Sequence, residues 1–277
     1  MATKSFCFHL NWFRYLSVGA YLSLLIFLGC TLSTTQKAKP IYVDAIYTEA
    51  INACATVYNK RFNQAIEIIQ RPEKGVINAL LKDSTKLIIT LLEADSNLQE
   101  IFSSKGYTLQ SEPLFYSALI GIAPQKRVFN PKQLSMVYQL KEDQNLSNQL
   151  SNIYEQSNYG FEQLTDMLSR LSVDYQAVGI IDLFTLQNFK RSEGWPYKNA
   201  FHILPALVNT DTIFPNYEAI ATGKYPYYRT INFIAKPEQI TDEERFLRFL
   251  FEKEGQLILE KEGLIPVREY PKTLKFK

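Results

Sequence analysis

The chain has 277 residues, 46% hydrophobic and 21% charged, which excludes an intrinsically disordered protein and is enough for one large domain or two lobes. Its 30 basic and 28 acidic residues leave a net charge of +2, and that near balance excludes a nucleic-acid binder, which carries a basic surplus.

Lys4 and Arg14 precede an uncharged run, YLSVGAYLSLLIFLGC, that ends at Cys30. A basic flank, an apolar core and a small residue before a processing point are the parts of a secretory signal. Phe27-Leu28-Gly29-Cys30 resembles a bacterial lipobox, in which the cysteine is lipidated and becomes the mature N-terminus; Gly29-Cys30 is the strong part of the match. The other reading is an uncleaved anchor, because the uncharged stretch runs on to about Gln36. Both readings tether the rest of the chain to a membrane and place it in the cell envelope, facing the periplasm or the exterior. Removal of residues 1–29 takes away Lys4 and Arg14 and no acid, so 28 basic residues then face 28 acidic ones. Cys7 leaves with the signal and Cys30 takes the lipid, so Cys54 is the remaining thiol and no intramolecular disulfide is expected. Cys54, in AINACATVY, falls on the apolar side of a helical pattern and reads as packing. His202 is the one histidine left, so neither a metal site nor a Ser-His triad is expected.

Residues 31–40, TLSTTQKAKP, read as a polar tether. Ile41–Val43 begins a strand, Asp44–Thr48 a turn and helix start, and Ile51, Ala55, Tyr58 and Phe62 repeat at helical spacing. AIEIIQ (65–70) and KLIITL (86–91) are short β-branched strands, separated by a helix over Val76–Leu81 and followed by one over Leu98–Ser103. Strands alternating with helices predict an α/β domain with a mainly parallel sheet. YTLQSEPLF is extended, and SALIGIAP (117–124) is an apolar strand closed by proline. Residues 130–143 and 145–153 are then rich in Gln, Asn and Ser.

YEQSNYGFEQLTD (154–166) reads as a strand end, a polar turn with Gly160 and the start of a helix over Phe161–Leu171. YQAVGIIDLF is a strand leading into another helix, where Asp182 reads as a cap, and AFHILPALV (200–208) is extended. YPYYRTINFIAKP (225–237) reads as a long strand. In the last helical passage Thr241 and Glu244 form a capping box, Gly255 breaks the run and Gly263 stops it.

YPYYRTINFIAKP…FLRFLFEKEGQLILEKEGLIPV resembles the end of the phosphate-binding proteins of ABC importers. Tyr225, Pro226 and Arg229 stand at that family's Tyr-Pro-x-x-Arg, Gly255 and Gln256 at its Gly-Gln, and Gly263 and Pro266 at its Gly-x-x-Pro turn. RPEKGVINALLKDSTKLIIT, GIAP with PKQLSMVY, and YQAVGII are similar to further family segments in the same order. The resemblance implies an α/β, two-lobed periplasmic-binding-protein fold of the type with two crossover strands and mixed sheets flanked by helices. Lobe one would hold residues 41–119 and 221–277, lobe two residues 120–220, with hinge strands at Ala118–Ala123 and Thr230–Ala235.

In that family the anion is held by helix N-termini, hydroxyls, an arginine and an aspartate. Carried over residue by residue, the positions are Thr48, Arg71, Thr90, Ser117, Ser157, Asn158 and Gly160. The departures are as informative. Asp44 replaces a ligand-loop glycine, Ser117 replaces the acceptor aspartate, and Glu155 precedes Ser157 where an arginine is usual. Each candidate also has a plain structural reading, as a helix cap or a solvated loop residue. The resemblance implies a lipid-anchored solute-binding protein for phosphate or a related oxyanion that delivers to an ABC permease, with no catalysis, cofactor or nucleic acid. The alternative is an envelope interaction or sensing module with a degenerate or retuned ligand site; Tyr47, Tyr116, Tyr159 and Leu91 at site positions suggest a more apolar ligand.

Overall fold

The computed structural model describes residues 38–130, 136–141, 158–191, 197, 200–236 and 242–267. The signal and lipobox, Ser157 and the Thr241 cap lie outside these residues. All described residues belong to one contact unit, Ala38–Lys277.

The first strand, β1 (Lys39–Asp44), starts two residues earlier than its apolar run, and a 3-10 turn (Ala45–Tyr47) leads into helix α1 (Thr48–Phe62). Strand β2 (Ile66–Arg71), helix α2 (Glu73–Leu81), strand β3 (Leu87–Thr90) and helix α3 (Ser96–Ser103) follow. The parallel trio β2-β1-β3 is the expected βαβ texture. Its two outer helices close on it through apolar faces: α1 buries Ile51, Cys54, Ala55 and Tyr58, and α2 buries Val76 and Leu80.

Strand β4 (Gln110–Ala123) is the backbone of the fold. The extended YTLQSEPLF and the apolar SALIGIAP merge into this one strand. Its residues 110–118 pair with β11 (Tyr228–Ala235), which also pairs with β3. From Leu119 onward β4 pairs instead with β7 (Val178–Asp182) and β8 (His202–Leu204). The pairing of β4 therefore changes from one part of the sheet to the other between Ala118 and Leu119. The second sheet continues through β5 (Val137–Leu140) to β6 (Asn158–Phe161), with order β2-β1-β3-β11-β4-β7-β5-β6 overall. Helices α4 (Leu164–Val173) and α5 (Leu183–Arg191) pack on the second sheet. β9 (Ala206–Val208) and β10 (Asp211–Ile213) form a small hairpin before helix α6 (Tyr217–Ala221).

Two expectations need correction here. The stretch around Gly160 is not a turn at a helix start: Asn158–Phe161 is a strand paired in parallel with β5, and the helix begins only at Leu164. The aromatic and large apolar content of the flanking pairs, Tyr138 against Tyr159 and Leu140 against Phe161, favours the ladder over the cap. The second crossing is also displaced. Thr230–Ala235 pairs with β4 and, from Asn232 on, also with β3, so the return lies before it, at Tyr225–Tyr228, where the Tyr225 hydroxyl donates to the Leu119 carbonyl at 3.0 Å and the Leu119 N–H donates to the Tyr227 carbonyl at 2.9 Å.

The C-terminal passage forms α7 (Asp242–Phe251), α8 (Lys253–Glu262) and β12 (Ile265–Pro266). The break falls at Glu252, and Gly255 sits inside α8. Its role is close approach: a Cβ there would stand 2.2 Å from the Phe249 carbonyl oxygen. Gly263 does stop α8, in the left-handed region at φ +100°.

Candidate functional site

Ligand clefts of open α/β sheets lie beyond the carboxyl ends of the strands. A cavity of about 740 Å³ sits at that place, within the 300–1,000 Å³ range of small-molecule sites. Ala45, Ile46 and Glu49 follow the end of β1, Gln70 comes from the end of β2, and Leu140 and Leu164 come from the end of β5 and the start of α4. Ile180, Ile181 and Asp182 of β7 and Phe184, Thr185, Asn188, Phe189 and Arg191 of α5 form the opposite side, with Glu262 at the rim. Both lobes thus contribute.

The lining is apolar with a net acidic charge. Its ionisable groups are Glu49, Asp182, Glu262 and Arg191, and Arg191 lies 3.8 Å from Glu262. The Asn188 amide donates to Glu49 across the cleft at 3.5 Å.

At the cleft floor Asp182 is 1% exposed and collects four donors. Ser117 Oγ donates to Oδ1 at 2.6 Å and the Phe184 N–H to the same oxygen at 2.9 Å. Tyr47 Oη and Arg229 Nη1 donate to Oδ2, each at 3.0 Å. A carboxylate offers about four lone-pair sites, so these donors fill it. The sequence explains each placement. Asp182 ends a strand whose other residues are buried apolar ones or Gly179, and the N–H bond from Phe184 is the expected cap. Ser117 and Arg229 are register partners on β4 and β11, so their side chains stand side by side. Tyr47 is held by Phe115 and Phe184, ring centroids 5.5 and 5.7 Å away.

Of the candidates read from sequence, the structure brings Ser117 into this cluster. Thr48 opens α1 and donates to the Asp44 carbonyl at 3.2 Å. Arg71 is exposed, donates to the Gln70 carbonyl and lies over the Tyr42 ring. Thr90 is fully buried and accepts from the Leu92 N–H. Asn158 opens β6. Gly160 lies in β6, where a Cβ would meet Lys141 Cγ at 2.6 Å. Thr48, Arg71, Thr90 and Gly160 do not line the cavity. The loops anticipated at β1 and β2 do reach it, through neighbours one to three residues away. Tyr47 and Arg229 were visible only as an aromatic at a site position and a strand motif. A charge inside the β-branched run RTINFIA is the signal that marks Arg229, since a buried arginine demands a partner. Cys54 is buried as expected, and burial pushes its thiol pKa far up, which makes it inert.

With this geometry in hand, the chain was compared with known proteins. No protein-family model matches it, and no curated protein sequence does. Solved structures do. PstS from Borrelia burgdorferi aligns over 84% of this chain and 100% of its own, at 15% identity and a TM-score of 0.60. An ABC-type phosphate transport receptor from Vibrio cholerae aligns over 82% and 99%, at 12% identity and a TM-score of 0.63. A substrate-binding protein from Clostridium perfringens, solved with bound phosphate, aligns over 84% and 100%, at 14% identity and a TM-score of 0.60.

The chain has the two-lobed periplasmic-binding-protein fold. At these identities the likeness is one of fold, and it falls on the group of proteins that the Tyr-Pro-x-x-Arg and Gly-Gln motifs resemble. Within that binding-protein fold the Asp182 cluster lies beside the β4 crossing, and the cavity opens between the lobes. Among the described residues no helix is long and apolar enough to cross a membrane, and no group of His, Cys, Asp and Glu is placed to hold a metal.

Proposed function

We propose that the protein is an extracytoplasmic solute-binding protein, tethered through lipid on Cys30, that closes its lobes on a small solute and hands it to an ABC permease. The observation that carries this reading is the cavity of about 740 Å³ lined from both lobes at the carboxyl ends of the strands. In such folds hinge closure buries the ligand. In this reading the lobes meet where β4 changes partners between Ala118 and Leu119, and again at 225–228. Phosphate or a related oxyanion is the solute that the resemblance and the named neighbours put first. Against it stand the acidic lining and the donors already engaged by Asp182. The lining favours a retuned site for a less anionic, partly apolar solute, and the protein acts by binding, without catalysis.

Calorimetric titration of the full chain with phosphate, sulfate and molybdate tests the oxyanion arm. Mass spectrometry of small molecules released from protein purified out of its own envelope tests the retuned one. No heat with any anion together with no released molecule, and no thermal shift with extract, refutes solute binding and leaves the envelope interaction module. Acyl labelling of the wild type that is absent from C30A checks the tether; labelling that persists in C30A refutes it.

A further inference from the structure

The four donors on Asp182 are the kind that hold a bound oxyanion: two hydroxyls, a backbone N–H beside a helix start and a guanidinium. They come from the 3-10 turn after β1, from β4, from the β7–α5 junction and from β11. Ser117, on β4, stands at a position where the resemblance implies an anion ligand, and Tyr47 is next to another, Thr48. All the side chains are at most 3% exposed, and Asp182 is also part of the cavity wall. We propose that Asp182 is a resident anion: its carboxylate occupies an oxyanion site built into the cleft floor, and shortening its side chain would open that site to a small free anion such as formate. This inference rests on the cavity being the solute cleft only in that a free anion must enter through it.

The chemistry follows from charge. Without the carboxylate, Arg229 loses the acid it meets at 3.0 Å, and Ser117 and Tyr47 lose the hydrogen bonds their hydroxyls donate to Asp182. Asp182→Ala removes a group the size of formate and leaves its donors in place. Asp182→Asn removes the charge but keeps the volume, so it opens no room. An anion that binds the folded chain and not the unfolded one must raise the unfolding midpoint in proportion to the logarithm of its concentration.

The test is thermal unfolding of the full chain in formate, phosphate and chloride at matched ionic strength, for wild type, D182A and D182N. The D182A midpoint should fall and be recovered by formate over chloride, with the larger phosphate no better than chloride at this site. D182N should fall without formate-specific recovery, and the wild type should not respond to formate. Adding Ser117→Ala to D182A should weaken the apparent anion affinity roughly tenfold, as for one hydrogen bond to a charged group. A D182A chain with no anion-specific recovery, including one that stays unfolded at every anion concentration, overturns the proposal. So does a wild type that formate stabilises as much as it stabilises D182A. Neither outcome touches solute binding as such, which stands or falls on the released-molecule and extract experiments.

Discussion

Arg229→Met probes the buried ion pair directly. The pair joins β11 to the end of β7, with both side chains 1% exposed and 3.0 Å between Nη1 and Oδ2. Removing one partner of such a pair costs about 3–5 kcal/mol, because the other charge stays buried. Tyr47, Ser117 and the Phe184 N–H still hold the carboxylate, which sets the expectation at the lower end, about 3 kcal/mol. For a domain of this size that is a fall of about 6–12 °C in midpoint. The double variant D182L/R229M removes both charges and should recover to within about 1 kcal/mol of wild type. Circular dichroism melts and urea titrations with an unchanged m-value measure it. A loss below about 1 kcal/mol for R229M would refute a dry cluster. A double variant that loses the sum of the two single losses would show that the residues are not coupled.

Gly255→Ala should cost about 3 kcal/mol, since backbone at 2.2 Å cannot yield as a side chain does; a melt unchanged within a degree would contradict the tight α7–α8 approach. Lys236, 1% exposed, donates to the Leu80 carbonyl at 2.7 Å and to Asp83, under the rings of Phe102 and Tyr107. Lys236→Met keeps the stem and should cost about 1–3 kcal/mol in urea titrations. Ile46→Trp should fill the cleft and abolish solute binding by calorimetry while moving the melt little. A hydrogen bond from the Tyr138 hydroxyl, helped by the Gln176 and Ala177 N–H groups and opposed by partial desolvation, holds the Asp174 carboxyl below its ordinary range. A depressed carboxylate contributes stability above the ordinary carboxylate range, lost as pH falls below about 4. Tyr138→Phe should therefore move the acid unfolding midpoint to higher pH; an unchanged acid limb would count against the bond.

Much of the fold was legible because its signals are local. β-branched strands, helical spacing in α1 and Gly263 at the end of α8 carry the α/β order, while the second crossing expected at Thr230–Ala235 does not fall there. What failed was also local. Asn158 and Gly160 read as turn residues at a helix start, but the ladder to β5 outweighs that, and Gly160 leaves room for Lys141. The site was half legible. Near the ends of β1 and β2 the cavity is lined by Ile46, Glu49 and Gln70, and not by Thr48 and Arg71 beside them. The Asp182–Arg229 pair spans 47 residues and depends on which strands lie next to β4, a fact no single stretch of sequence contains.

Strand β11 meets β3 and β4 only after more than a hundred intervening residues, among them all of the second lobe. The first lobe therefore cannot be completed until the C-terminal third of the chain is available, while the second lobe is one continuous stretch. Loop closure over such distances is slow. The second lobe has the means to form early, and the parallel trio β2-β1-β3 must wait with its β3 edge open until β11 arrives. That edge is where a partly synthesised or partly refolded chain is exposed to mispairing.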